Sequence, residues 1–204
     1  MNKMNSNTNS NMTMNKVIYD ADTMNIKNAA YNALNKNEHG QYFCPKSKIL
    51  IKSPTLKTFG VSEYEGKHCI SFMLEEGAFL QSMVAFENEL KNHANKLQEG
   101  TTMAQIIKYS KTNNLPSFKV KIGKNIKKKE WDFTMFDEER KQLYPSKFKK
   151  DEINPFDYIV TYSEVNVMLQ FNGFFVSEKD GIAYPSLLLH QIKVTKPVET
   201  ECEL

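Results

Sequence analysis

Val165-Asn166-Val167-Met168-Leu169-Gln170-Phe171-Asn172-Gly173-Phe174-Phe175, then Gly181-Ile182-Ala183-Tyr184, then Leu188-Leu189-His190-Gln191-Ile192-Lys193-Val194, is the most regular part of this 204-residue chain. It reads as strands over residues 159–171, 174–176 and 186–194, with turns at Gly173 and at Asp180-Gly181. Upstream, Phe118, Val120 and Ile122 alternate with Lys119 and Lys121 ahead of a turn at Gly123. One face of that strand is apolar and the other cationic. Trp131, Phe133 and Met135 alternate next, and residues 144–155 form a loop marked by Pro145 and Pro155.

Nearer the N-terminus, residues 47–59 read as a strand broken at Pro54, and residues 67–74 as a second strand entered through Glu65-Gly66. Phe79, Met83, Phe86, Leu90 and Leu97 are spaced by three, four or seven, the pattern of an amphipathic helix that stops near Gly100. Thr101 or Thr102 then caps a short second helix through Met103, Ile106 and Ile107. A marginal helix is expected between residues 16 and 37, on Ile26, Ala30, Ala33 and Leu34. Short strands with regular turns, interrupted once by helix, favour a barrel or sandwich over an alternating parallel α/β sheet.

Hydrophobic residues make up 40% of the chain and aromatics 11%, an ordinary globular balance. The expected organisation is a disordered Asn-rich tail over residues 1–16, a single domain over 17–198 and a short acidic tail over 199–204. No stretch approaches the roughly 20 apolar residues of a membrane span, and the N-terminal residues lack the apolar centre of a secretory signal. Three scattered cysteines argue for a reducing compartment and against a disulfide frame. The expectation is a soluble intracellular, cytoplasmic protein with no membrane partner. The total charge of +3 is uneven: residues 111–150 hold 12 basic and 5 acidic side chains, about +7, leaving about −4 elsewhere.

Catalytic signatures are missing from the sequence. There is no Gly-Lys-Ser/Thr phosphate loop, no Gly-x-Gly-x-x-Gly and no Gly-x-Ser-x-Gly elbow. The four histidines stand singly, outside metal-ligand spacing. His68 and Cys69 are neighbours in a strand, point to opposite faces and read as ordinary strand residues. Glu75-Glu76 and Asp137-Glu138-Glu139 read as solvated turns. No enzyme activity, metal or cofactor is expected.

The positive signal runs from Phe118 to Lys150. Lys119, Lys121, Lys124, Lys127, Lys128 and Lys129 would hold phosphates, joined by Lys147 and Lys149, while Trp131, Tyr144 and Phe148 would stack bases. Lysine neutralises phosphate and releases counterions without reading sequence. Exposed aromatic rings offer flat surfaces to unpaired bases, at about 1–3 kcal/mol per base. Arg140 is the only arginine, which argues against major-groove reading, where arginine pairs with guanine. About half of these aromatics are expected in the core, with Tyr144 and Phe148, in the Pro-flanked loop, exposed. The competing class is a structural or virion-assembly protein with a β-sandwich fold, in which the lysines serve solubility or acidic partners.

The closing stretch quoted first resembles the final strands of viral single-stranded-DNA-binding proteins, the OB-fold replication proteins of large nucleocytoplasmic DNA viruses, related to a family of T7-like phages. The shared cadence is an apolar strand ending in a Gly-aromatic turn, a hairpin with Gly and an aromatic, then a strand ending Gln-Ile-Lys-Val. The resemblance implies a mainly β (α+β) fold: a five-stranded OB-like barrel with a helical insertion. It implies binding to single-stranded DNA without strong sequence preference, in replication, recombination or repair, without a cofactor and often with an acidic C-terminus. Phe174, Phe175 and Tyr184 become secondary stacking candidates, and the helix from Phe79 to Leu97 would plug or cap the barrel. DNA against RNA and homo-oligomerisation stay open. The acidic tail reads as a frayed terminus, with docking of replication proteins as the competing reading. For a viral protein the location would be the host cytoplasm or the viral replication site.

Overall fold

The computed structural model describes residues 16–19 (backbone alone), 26–125, 127, 130–145 and 154–195. The expected disordered and acidic tails therefore lie outside the described residues, apart from Lys16.

Five strands form the barrel: β4 (Lys48–Tyr64), β5 (Lys67–Met73), β8 (Pro116–Ile122), β13 (Glu164–Ser177) and β14 (Ile182–Val194). Around the ring, β4 pairs with β5, β5 with β8, β8 with β14, β14 with β13, and β13 returns to β4. All pairings are antiparallel except β8–β14, which meet in parallel at Lys121 and Leu188. This is the expected five-stranded OB-like ring; β8 and β14 meet at that one pair, so both keep edge positions on which shorter strands pair. Shorter strands extend it: β1 (Lys16–Tyr19), β2 (Tyr31–Ala33), β3 (Gly40–Pro45), β6 (Thr102–Met103), β7 (Ile107–Tyr109), β11 (Thr134–Phe136) and β12 (Gln142–Tyr144). A separate hairpin joins β9 (Lys124–Asn125) and β10 (Glu130–Trp131).

Alternation sets which side chains fill the ring. Phe118, Val120 and Ile122 of β8 face Phe72, Ile70 and His68 of β5 on the inside, while Lys119 and Lys121 are thrown outward. Helix α1 (Ala78–Leu97) closes one end, burying Phe79, Met83, Phe86, Leu90 and Ala94. Phe79 meets Phe118 edge-on at 6.5 Å, and Phe86 meets Phe171 edge-on at 5.9 Å. Among the described residues no helix is long and apolar enough to cross a membrane.

Four sequence expectations need correction. Pro54 does not break its strand. A bulge opposite Val167 absorbs the missing donor, and the Val167 N–H turns to Ser53 Oγ at 2.9 Å. Gly173 is not a turn but a second bulge, because β13 runs on through it: Phe171 pairs with Leu187 and Phe174 with Pro185. The helix expected at Met103–Ile107 is instead the pair β6 and β7, drawn onto the edges of β14 and β8. Where residues 16–37 were expected to form a helix, β1 pairs in parallel with β4 and β2 pairs antiparallel with β3. Weak propensity yields in both places to available sheet edges.

Candidate nucleic-acid interface

On the outside of the ring, β5, β7, β8 and the start of β14 border an open groove of about 400 Å³. Lys119 and Lys121 from β8 and Lys108 from β7 bring three ammonium groups to it. Buried Ile106 and Leu187, with half-buried Cys69, give it an apolar floor, and Tyr184 stands at its side. No ion pair engages any of the three lysines among the described residues. Among the described residues no carboxylate lines the groove. The larger hollow beside the start of α1, about 880 Å³, is different: Lys52 and Lys57 there stand among Glu75, Glu76 and Glu164. An anionic polymer meets attraction in the first groove and mixed charge in the second.

Each wall has an identifiable support. The apolar partners of β8 fix its phase, so Lys119 lies across from Ser71, and Lys121 from Cys69, on the outer face. Lys108 depends on a buried carboxylate one helix away. Glu87 of α1 accepts the N–H groups of Ile106 at 2.8 Å and Ile107 at 2.9 Å through Oε2. Its Oε1 pairs with Lys91 Nζ at 2.8 Å. This capture holds the segment before Lys108 extended rather than helical. Glu87→Ala strands two buried donors, so a loss of about 2–4 kcal/mol in urea unfolding is expected, with Glu87→Gln recovering much of it. Tyr184 is tethered too: its hydroxyl donates to Asp180 Oδ2 at 2.8 Å, while Asp180 Oδ1 accepts the Ile182 N–H at 3.0 Å. The Ile182 amide, then the Tyr184 hydroxyl, holds the Asp180 carboxyl below its usual range. The carboxylate therefore stays ionised as an acceptor across neutral pH.

The predicted site residues divide accordingly. Lys119, Lys121 and Tyr184 meet in the groove. Lys124 sits with its Nζ 4.9 Å from the Trp131 ring centre, and Lys127 is exposed at the tip of the β9–β10 hairpin. Lys128, Lys129, Lys147, Phe148 and Lys149 lie outside the described residues. Trp131 is not a free stacking platform: its ring packs against His68 at 4.5 Å and Phe156 at 4.9 Å, besides Lys124. Tyr144, expected to be exposed, is 7% exposed, because its hydroxyl accepts the Trp131 N–H at 2.6 Å and its ring lies against Phe133. Phe174 is 1% exposed, since the Gly173 bulge shifts the inside-outside phase and turns it into the core. Phe175 is half-buried on the outer face, against Tyr42.

Lys108 and Tyr42 were missed. The alternation Ile107-Lys108-Tyr109 was a strand signal hidden by the helical reading of its neighbours. Nothing local marks Tyr42, whose place follows from strand register. Among the described residues no group of three or more His, Cys, Asp or Glu is arranged to hold a metal.

The fold is that of phage single-stranded-DNA-binding proteins, the class that the closing strands resemble. The single-stranded DNA-binding protein from bacteriophage Enc34 superposes with a TM-score of 0.50 at 11% identity, over 86% of this chain and 96% of that one. The same protein in complex with single-stranded DNA gives 0.49 at 11% identity, over 83% and 97% of the two chains. For gp2.5, a single-stranded DNA binding protein encoded by bacteriophage T7, the values are 0.48 and 12%, over 74% and 87%. No family model and no curated protein sequence matches the chain.

Proposed function

We propose that this chain binds single-stranded DNA without strong sequence preference and without catalysis, in viral-type replication, recombination or repair. The observation that carries the reading is the groove itself: Lys108, Lys119 and Lys121 converge over an apolar floor with no carboxylate among the described lining residues. Ammonium groups replace the counterions of a phosphate backbone. The floor and the Tyr184 ring suit bases that are not paired. Point charges on flexible stems carry no bidentate base code, which fits indifference to sequence. The shared fold with a phage protein described as binding single-stranded DNA supports the same reading.

Titration of labelled oligo-dT, the matching duplex and oligo-rU at several salt concentrations tests it. Three lysine–phosphate contacts at a slope of about 0.7 each predict that log K falls by about 2 per decade of salt on single strands, with clearly weaker binding to duplex. Equal or negligible binding to single strand and duplex would overturn the proposal and favour a structural role. Preference for oligo-rU would move the substrate from DNA to RNA.

A further inference from the structure

The outer face of the sheet carries a feature that shares only Tyr184 with the lysine groove. Phe175 of β13 is paired in register with Tyr184 of β14 on one side and with Tyr42 of β3 on the other. Three aromatic side chains therefore stand in a row across three adjacent strands. Their outward orientation is set from within: the neighbours Phe43, Phe174, Val176 and Ala183 are all buried, so residues one position away must face solvent. Tyr42 is 49% and Tyr184 39% exposed, and Phe175 lies between them. The Tyr42 and Phe175 rings are 4.7 Å apart and tilted by 42°. Phe175 lies over Gly40, where a Cβ would come within 2.8 Å of its ring. Two inter-strand spacings of about 4.8 Å make the row about 10 Å wide. One end, Tyr184, is already a wall of the lysine groove.

We infer that Tyr42, Phe175 and Tyr184 form a second subsite, an aromatic shelf that takes the bases of the same single strand after it leaves the lysine groove. This rests on the single-strand reading above and adds a path and a direction to it. Beside it Lys36 is paired with Glu178 at 2.6 Å, and the three side chains themselves offer ring faces rather than charge. Its contribution is therefore nearly independent of salt, unlike that of the groove. A cross-strand aromatic pair can also serve the sheet alone, and the experiment separates the two roles.

Oligo-dT of about 4 to 16 nucleotides spans the usual site sizes of one OB fold. Wild type, Tyr42→Phe and Tyr42→Leu are titrated against that series by anisotropy, each with its thermal unfolding curve. The expected result is that Tyr42→Leu binds the longer oligonucleotides roughly fivefold or more weakly, with an unchanged salt slope. It binds the shortest ones like wild type, and Tyr42→Phe behaves as wild type throughout. Photocrosslinking of iodo-dU oligonucleotides to the unmutated protein gives a second reading, with adducts expected on Tyr42 only above a threshold length. Wild-type affinity of Tyr42→Leu at every length, even with a lowered melting temperature, together with no Tyr42 adduct, would overturn the shelf and leave the groove standing. Failure of the wild-type protein to bind any single strand would remove both.

Discussion

Replacing Lys119 and Lys121 together with alanine is expected to weaken oligo-dT binding about 60-fold at 50 mM salt and to flatten the salt slope by about 1.4. Each lysine–phosphate contact carries about 0.7 in slope. Between 1 M and 0.05 M salt that amounts to about 0.9 log unit per contact, and two contacts give the 60-fold figure. Neither side chain contributes to the core: both are exposed, and the burial in β8 belongs to Phe118, Val120 and Ile122. The melting temperature should therefore move little, and a large fall in it would void the comparison. Lys52→Ala with Lys57→Ala is the matched control, since it removes equal charge from a hollow that also holds Glu75, Glu76 and Glu164. If the two double variants weaken binding equally, the effect comes from overall charge and the groove is not the site. If only the β8 pair does, the three-lysine groove is the phosphate track.

That strand was the part of the candidate site most legible in the sequence. The alternation of Phe118 to Ile122 specifies its phase without help from anything distant, and with it the outward direction of Lys119 and Lys121. Helix α1 was legible for the same reason, its buried positions recurring at three and four. The rest of the site depends on partners far along the chain. Residues 102–109 have apolar spacing compatible with a helix. The Glu87 carboxylate that captures Ile106 and Ile107 comes from 19 and 20 residues away, and the strand edges that accept the segment belong to β8 and β14. Trp131 and Tyr144 were both stacking candidates, with Tyr144 the one expected to be exposed, but a hydrogen bond between them, the packing of His68 and Phe156 on Trp131 and that of Phe133 on Tyr144 draw both inward. Tyr42 joins the shelf only through the register of β3 on β13, which no local pattern encodes.

Gly173→Ala is expected to cost more than about 4 kcal/mol, placing it among exceptionally damaging single substitutions. The backbone there has φ +92°, a region that costs an L residue about 1–2 kcal/mol. The larger part is collision. An added Cβ would lie 1.9 Å from the Phe43 carbonyl oxygen and 3.0 Å from the Cys44 Cα, both main-chain atoms that cannot rotate away. Relief requires β3 to separate from β13. Gly181→Ala is the control: its φ is +66°, but among the described residues nothing lies within 4 Å of the added carbon. Conformational strain alone then applies, at about 1–2 kcal/mol. Urea unfolding of the two variants measures the difference directly, and equal losses would mean that β3 yields without penalty. The same displacement has a functional signature, because β3 carries Tyr42 while the lysines sit on β7 and β8. A Gly173→Ala protein that remains folded should bind short oligo-dT normally and lose the added affinity of longer strands, joining the bulge to the shelf through one strand contact.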